Sequence, residues 1–163
     1  MAQSTPQSHS SAKTKSTAHT SAPAKSKSAP DAASAFVHGA FCWNELMTHD
    51  LAKAKAFYAA TLGWQYEAMP MPEGGTYWII KKPGHPVGLG GLLEMKGTHF
   101  EGMPERWVPY ISVEDVDTVV KAAVKAGAHV LKEPFDIADV GRIAGLREPG
   151  GAMVCLMTPL PKG

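Results

Sequence analysis

Residues 41–64 read FCWNELMTHDLAKAKAFYAATLGW and residues 107–130 read WVPYISVEDVDTVVKAAVKAGAHV, and the two stretches follow one plan. Each holds a short β-like run, an aspartate, a run with helical spacing and a glycine. Asp50 and Asp115 stand 65 positions apart, and Lys82-Pro83-Gly84 and Glu148-Pro149-Gly150 stand 66 apart. Offsets of 65 and 66 in two separate places mark an internal duplication.

The elements of each copy follow from residue chemistry. Asp50 is suited to cap a helix that carries Leu51, Ala54, Phe57, Tyr58 and Leu62 on its spacing, with Gly63 as the stop. In the second copy Asp115 is the cap, Val116, Val119, Val120, Ala123 and Val124 form the stripe, and Gly127 ends it. Runs with strand character follow at 76–80, 87–95, 128–131, 141–146 and 152–157, broken at Pro83-Gly84 and Pro149-Gly150-Gly151. Each copy is therefore a βαβββ unit. The two modules, approximately 36–97 and 105–160, cannot each cover a sheet face alone, so the expected fold is α+β: paired modules forming a curved mixed sheet around a concave pocket. A concave sheet suits a small organic ligand.

Working outward, residues 1–34 are of another kind, with nine Ser, four Lys, one acid and no large apolar residue after Met1. Such a segment is expected to be a disordered Ser/Ala/Lys-rich tail, leaving 35–163 as the folded domain. The whole chain of 163 residues is 44% hydrophobic with a net charge of +1, and the folded part has twelve basic against fourteen acidic residues. That balance argues against a nucleic-acid or membrane partner. No run is long and apolar enough for a membrane span or a secretory signal, and Cys42 and Cys155 read as free thiols, so the expected location is cytoplasmic.

Asp50, Phe57-Tyr58 and Leu62-Gly63-Trp64, then residues 110–117, then Gly141-Arg142 leading to Glu148-Pro149-Gly150-Gly151-Ala152, give a resemblance to the vicinal oxygen chelate superfamily. This group contains the glyoxalase, bleomycin-resistance and extradiol-dioxygenase proteins. Paired βαβββ modules are its architecture, and the resemblance extends over nearly all of 36–159. It implies a site for a divalent metal held by His, Gln or Glu from the first and last strands of both modules. The corresponding positions here are Trp43, Val108, Leu89 and Cys155. None is a usual ligand, so no metal cofactor is expected; a metal-dependent lyase or dioxygenase using Glu45, Glu94 or one of the histidines stays as the alternative. The resemblance also implies a homodimer, and it leaves open whether the chain is an enzyme.

Strand alternation puts Glu45 on the face of Trp43, and the repeat makes Tyr110 its counterpart. Glu45 and Tyr110 are thus the candidate acid–base pair, with a structural hydrogen-bonded pair as the equal alternative. Trp43, Cys155, Met153 and Trp78, or Tyr77 in its place, are expected to line the pocket for a planar or apolar ligand. Arg142 is a candidate for a ligand carboxylate or phosphate, or for an ion pair with Glu148 or Asp139. The glycines of 87–92 lack the spacing of a nucleotide loop and read as tight strand packing.

Overall fold

A computed structural model describes residues 37–72 and 74–160, and the expected tail lies outside them. In chain order the strands are β1 (Phe41–Thr48), β2 (Gln65–Pro70), β3 (Thr76–Lys81), β4 (Gly90–Glu94), β5 (Arg106–Ser112), β6 (His129–Ile137), β7 (Gly141–Arg147) and β8 (Met153–Pro159). Helix α1 (Leu51–Leu62) follows β1 and helix α2 (Val116–Lys125) follows β5. All eight strands form one sheet in the order β2-β3-β4-β1-β5-β8-β7-β6. Inside each module the first and last strands are parallel, β1 with β4 and β5 with β8, and the modules meet where β1 runs antiparallel to β5. The sheet is curved and not closed, which is the α+β architecture the duplication predicts.

Both helices start on the aspartates named from the sequence. Asp50 accepts a hydrogen bond from the Lys53 backbone N–H at 2.9 Å, and Asp115 accepts one from that of Thr118 at 2.6 Å. Each bond satisfies a first-turn N–H that has no partner inside the helix. Gly63 ends α1 at φ 67°, a left-handed conformation that carries the chain straight into β2. The sequence reading did not single out β2. It is an edge strand whose alternation is masked because both sides are largely exposed.

Two strand boundaries move. The run expected from Val87 enters the ladder at Gly90; after the turn at Pro83-Gly84 and Pro86, the Leu89 N–H first reaches β3, donating to the Ile80 carbonyl at 2.9 Å. Strand β6 continues past Leu131 to Ile137, crossing Pro134 with two register shifts, which an edge position tolerates.

The helices cover one face of the sheet. Under α1 lie Leu46, Ile80 and Leu92, and under α2 lie Val113, Ala144, Leu146 and Leu156 with Val116 and Val120 of the helix itself. The opposite, inner face carries a separate cluster of Met47, Met95 and Val108, packed with Leu93, Phe100, Tyr110, Met153 and Cys155. Residues of even and odd number on the same strand thus serve two different cores, as a period of two requires.

Candidate functional site

The antiparallel register of the central pair, Trp43 opposite Tyr110 and Glu45 opposite Val108, decides what meets on the inner face. Glu45 is 8% exposed, and its Oε2 accepts a hydrogen bond from the Tyr110 hydroxyl at 3.1 Å. Cys155 of β8 is the register partner of Tyr110 on the other side, and Gly91 of β4 is the partner of Glu45. The glycine matters because Tyr77 of β3 lies directly over it: a Cβ at position 91 would overlap the Tyr77 hydroxyl and ring. That open space lets Tyr77 reach the centre of the face, where its hydroxyl accepts from the Trp43 indole N–H at 2.9 Å.

Burial sets the protonation of this group. Removal from water pushes the Glu45 carboxyl above the ordinary glutamate range, and hydrogen bonding from Tyr77 and Tyr110 opposes part of that shift. The same burial, reinforced by the neighbouring Glu45 charge, raises both tyrosine hydroxyls. The Cys155 thiol is pushed up to about 12, first by burial and then by Glu45. Two phenols and a thiol therefore keep their protons at neutral pH, and one carboxyl is biased toward keeping its own. Such a cluster can donate or accept a proton at Glu45, while Cys155 is poorly suited to act as a thiolate.

The structure brings Glu45, Tyr110, Trp43, Cys155 and Met153 onto one face, as the alternation predicts. Two other candidates are corrected. Trp78 points to the helix side, where the Lys55 ammonium lies over its ring and it packs with the core beneath α1; Tyr77, one residue earlier, takes the inner position. Arg142 also faces the helices, sharing the phase of Ala144 and Leu146. Its guanidinium is bonded to both oxygens of Asp117 on α2 and, at 3.1 Å, to Asp136 on β6, so its ion pairs are with these two aspartates and not with Glu148 or Asp139. Sequence reasoning also missed Met47, Met95 and Phe100, which pack together on this face. Alternation from Glu45 signals Met47; the other two come from a connection without periodicity.

A metal fits this face poorly. Among the described residues no three His, Cys, Asp or Glu side chains converge as a ligand set. Glu45 and Cys155 supply one carboxylate and one thiol, short of the three or four donors a held divalent ion needs. A groove of about 370 Å³ does open elsewhere, between α1 and Glu105, on the helix side of the sheet. Glu105 there is already committed to the Thr48 hydroxyl at 2.7 Å and the His49 N–H at 2.9 Å, an arrangement that pins the loop before β5. The groove has none of the buried titratable chemistry of the inner face.

Residues 41–74 match the family model described as bleomycin resistance protein-like N-terminal. The putative glyoxylase CFP32 of Mycobacterium tuberculosis is 40% identical over 115 residues, covering 70% of this chain and 43% of that protein. The anthracycline biosynthesis protein DnrV of Streptomyces peucetius is 29% identical over 126 residues, covering 72% of this chain and 46% of that one. The chain thus spans less than half the length of these relatives. Among solved structures, methylmalonyl-CoA epimerase from Mycobacterium tuberculosis superposes with a TM-score of 0.56 at 18% identity, over 79% of this chain and 93% of the other. The Streptomyces coelicolor methylmalonyl-CoA epimerase gives 0.56 at 21%, over 77% and 100%. At such identities the structures speak for the fold alone. Fold, internal duplication and sequence relatives agree, and the chain belongs to the vicinal oxygen chelate superfamily, on its glyoxalase-like and bleomycin-resistance-like side.

Proposed function

We propose that the inner face binds a small organic ligand without a resident metal, and that Glu45 and Tyr110 anchor the polar end of that ligand or exchange a proton with it. The observation that carries this reading is the buried Glu45–Tyr110 pair set among Trp43, Tyr77 and methionine side chains. A carboxyl whose pKa is raised by burial is a stronger base once ionised and holds its proton to higher pH than an exposed one. Trp43 and the thioether of Met153 offer stacking and soft contacts to a planar or apolar body. The same contacts serve sequestration and turnover. Relatives named for glyoxylase activity and for anthracycline biosynthesis accord with small organic molecules as ligands. Pairing of two copies belongs to the proposal, and free Cys42 and Cys155 accord with a cytoplasmic location.

The test is elemental analysis of the natively purified protein after mild dialysis, followed by melting scans with added zinc, nickel, iron and manganese. The expected result is no stoichiometric metal and an unmoved melting temperature. A site filled at a hundred times its dissociation constant adds about 2.7 kcal/mol, enough to shift the melting of a small domain by several degrees. Near one metal per chain, or a saturating rise at that ratio, would overturn the proposal in favour of a metal-dependent lyase or dioxygenase.

A further inference from the structure

Arg106 opens β5 on the inner face, opposite Met47, two residues along the strand from Val108 and hence from the level of Glu45. Two residues of strand are about 7 Å. Its guanidinium curls back on the loop before it. Nη1 donates to the Pro104 carbonyl at 2.8 Å, Nη2 meets only the Met103 sulfur at 3.7 Å, and Nε is buried with no acceptor among the described residues. The adjacent Glu105 is no partner for it, because Glu105 turns to the helix side to hold Thr48 and His49. Arg142 shows the contrast: there the same type of side chain is matched by two aspartates.

The N–H groups of Nε and of the nearer Nη2 point the same way, and together they form the fork that fits the two oxygens of a carboxylate. A buried donor on a charged group that makes no bond is expensive to keep, so a fork facing only a thioether asks for a partner. Met103 is 40% exposed and unbranched, a cover that swings aside easily.

We propose that the Nε–Nη2 edge of Arg106 is a carboxylate subsite of the inner-face ligand site. A ligand with its polar or reacting end at Glu45 and Tyr110 reaches Arg106 by displacing the packing over Met47 and Val108, which are otherwise buried, and its carboxylate displaces the Met103 sulfur from the Arg106 fork. Burial biases Glu45 toward its neutral form, which lessens the repulsion an anion on the same face would meet. The proposal rests on the ligand-site reading above and adds the chemical class of the ligand.

Two probes of one shape separate the possibilities: 2-naphthoate, and its uncharged analogue 2-naphthamide, each titrated calorimetrically into the full chain at neutral pH. Naphthoate is expected to bind at least tenfold tighter. Arg106→Gln is expected to bring naphthoate down to the affinity of the amide and leave the amide unchanged, and Arg106→Lys, with charge but no fork, to restore only part of the preference. Equal binding of both probes to the natural protein, or a preference that survives Arg106→Gln, overturns the Arg106 subsite while the ligand site stands. A loss of both probes in Arg106→Gln that Arg106→Lys repairs in full overturns it too, as a role in folding. Binding of neither probe to the natural protein removes the ligand-site reading itself, and this proposal with it.

Discussion

Glu45 shows how a single register turns a surface residue type into an interior one. Its carboxyl is raised above its ordinary value by burial, so the folded chain holds that proton more tightly than the unfolded chain does. The resulting stabilisation is fully present below the unfolded glutamate value of about 4.3 and is lost as pH rises through the folded value. Glutamine at this position keeps an oxygen for the Tyr110 hydroxyl and does not titrate. Glu45→Gln is therefore expected to melt close to the natural protein near pH 4 and above it at pH 7 to 8. Melting curves across that range check this, and a difference that does not change with pH would refute it. Gly91 is the second decisive residue, since any Cβ there meets the Tyr77 ring. Gly91→Ala is expected to lose about 1–3 kcal/mol, the usual range for overpacking. The loss should shrink markedly in a Tyr77→Ala background, and equal losses in the two backgrounds, measured by denaturant titration, would show that the tyrosine is not the cause. The pairing of Glu45 with Tyr110 was legible in the sequence because the repeat aligns the first strands of the two modules. Trp78 and Arg142 were not, because the face a strand residue takes depends on a phase that a one-residue slip inverts.

The two helices occupy equivalent places in the repeat yet are held differently. Helix α2 buries Val116 and Val120 against β7 and β8, with Asp117 and Lys125 placed to oppose the dipole at either end. Helix α1 has no buried residue, touches the sheet through Leu51, Ala54 and Tyr58, and carries neither an acid in its first turn nor a base in its last. Amide protection follows burial and local contact density. Backbone amides in the C-terminal half of α1 are therefore expected to exchange with deuterium faster than those of α2 under native conditions. Equal protection in the two helices would mean that something other than the sheet covers α1. Both helices were legible because caps and spacing are local signals. β2 was not, since an exposed edge strand carries no alternation, and the extension of β6 was not, because Pro134 reads as a break unless the edge position is known.

At the scale of the molecule, the duplication predicted one sheet from two modules, and the antiparallel β1–β5 junction supplies it. What the sequence could not give is which surfaces the completed sheet leaves uncovered, because that depends on how far each helix reaches. On the helix side Phe57 is 59% exposed and Trp107 39%, the two lying on either side of Tyr58, which stacks on Trp64 and accepts a hydrogen bond from the Trp107 indole at 3.1 Å. Aromatic side chains clustered and half open to water are the composition that protein–protein interfaces favour. If two copies pair as proposed, covering this surface would remove the exposed aromatic area of both Phe57 and Trp107. Light scattering at micromolar concentration is then expected to give about twice the 17.3 kDa of one chain. Phe57→Glu is expected to lower that mass to a single chain without lowering the monomer's melting temperature, since an exposed position carries little of the fold. A single-chain mass for the natural protein would refute pairing, and a dimer that persists in Phe57→Glu would move the interface off α1.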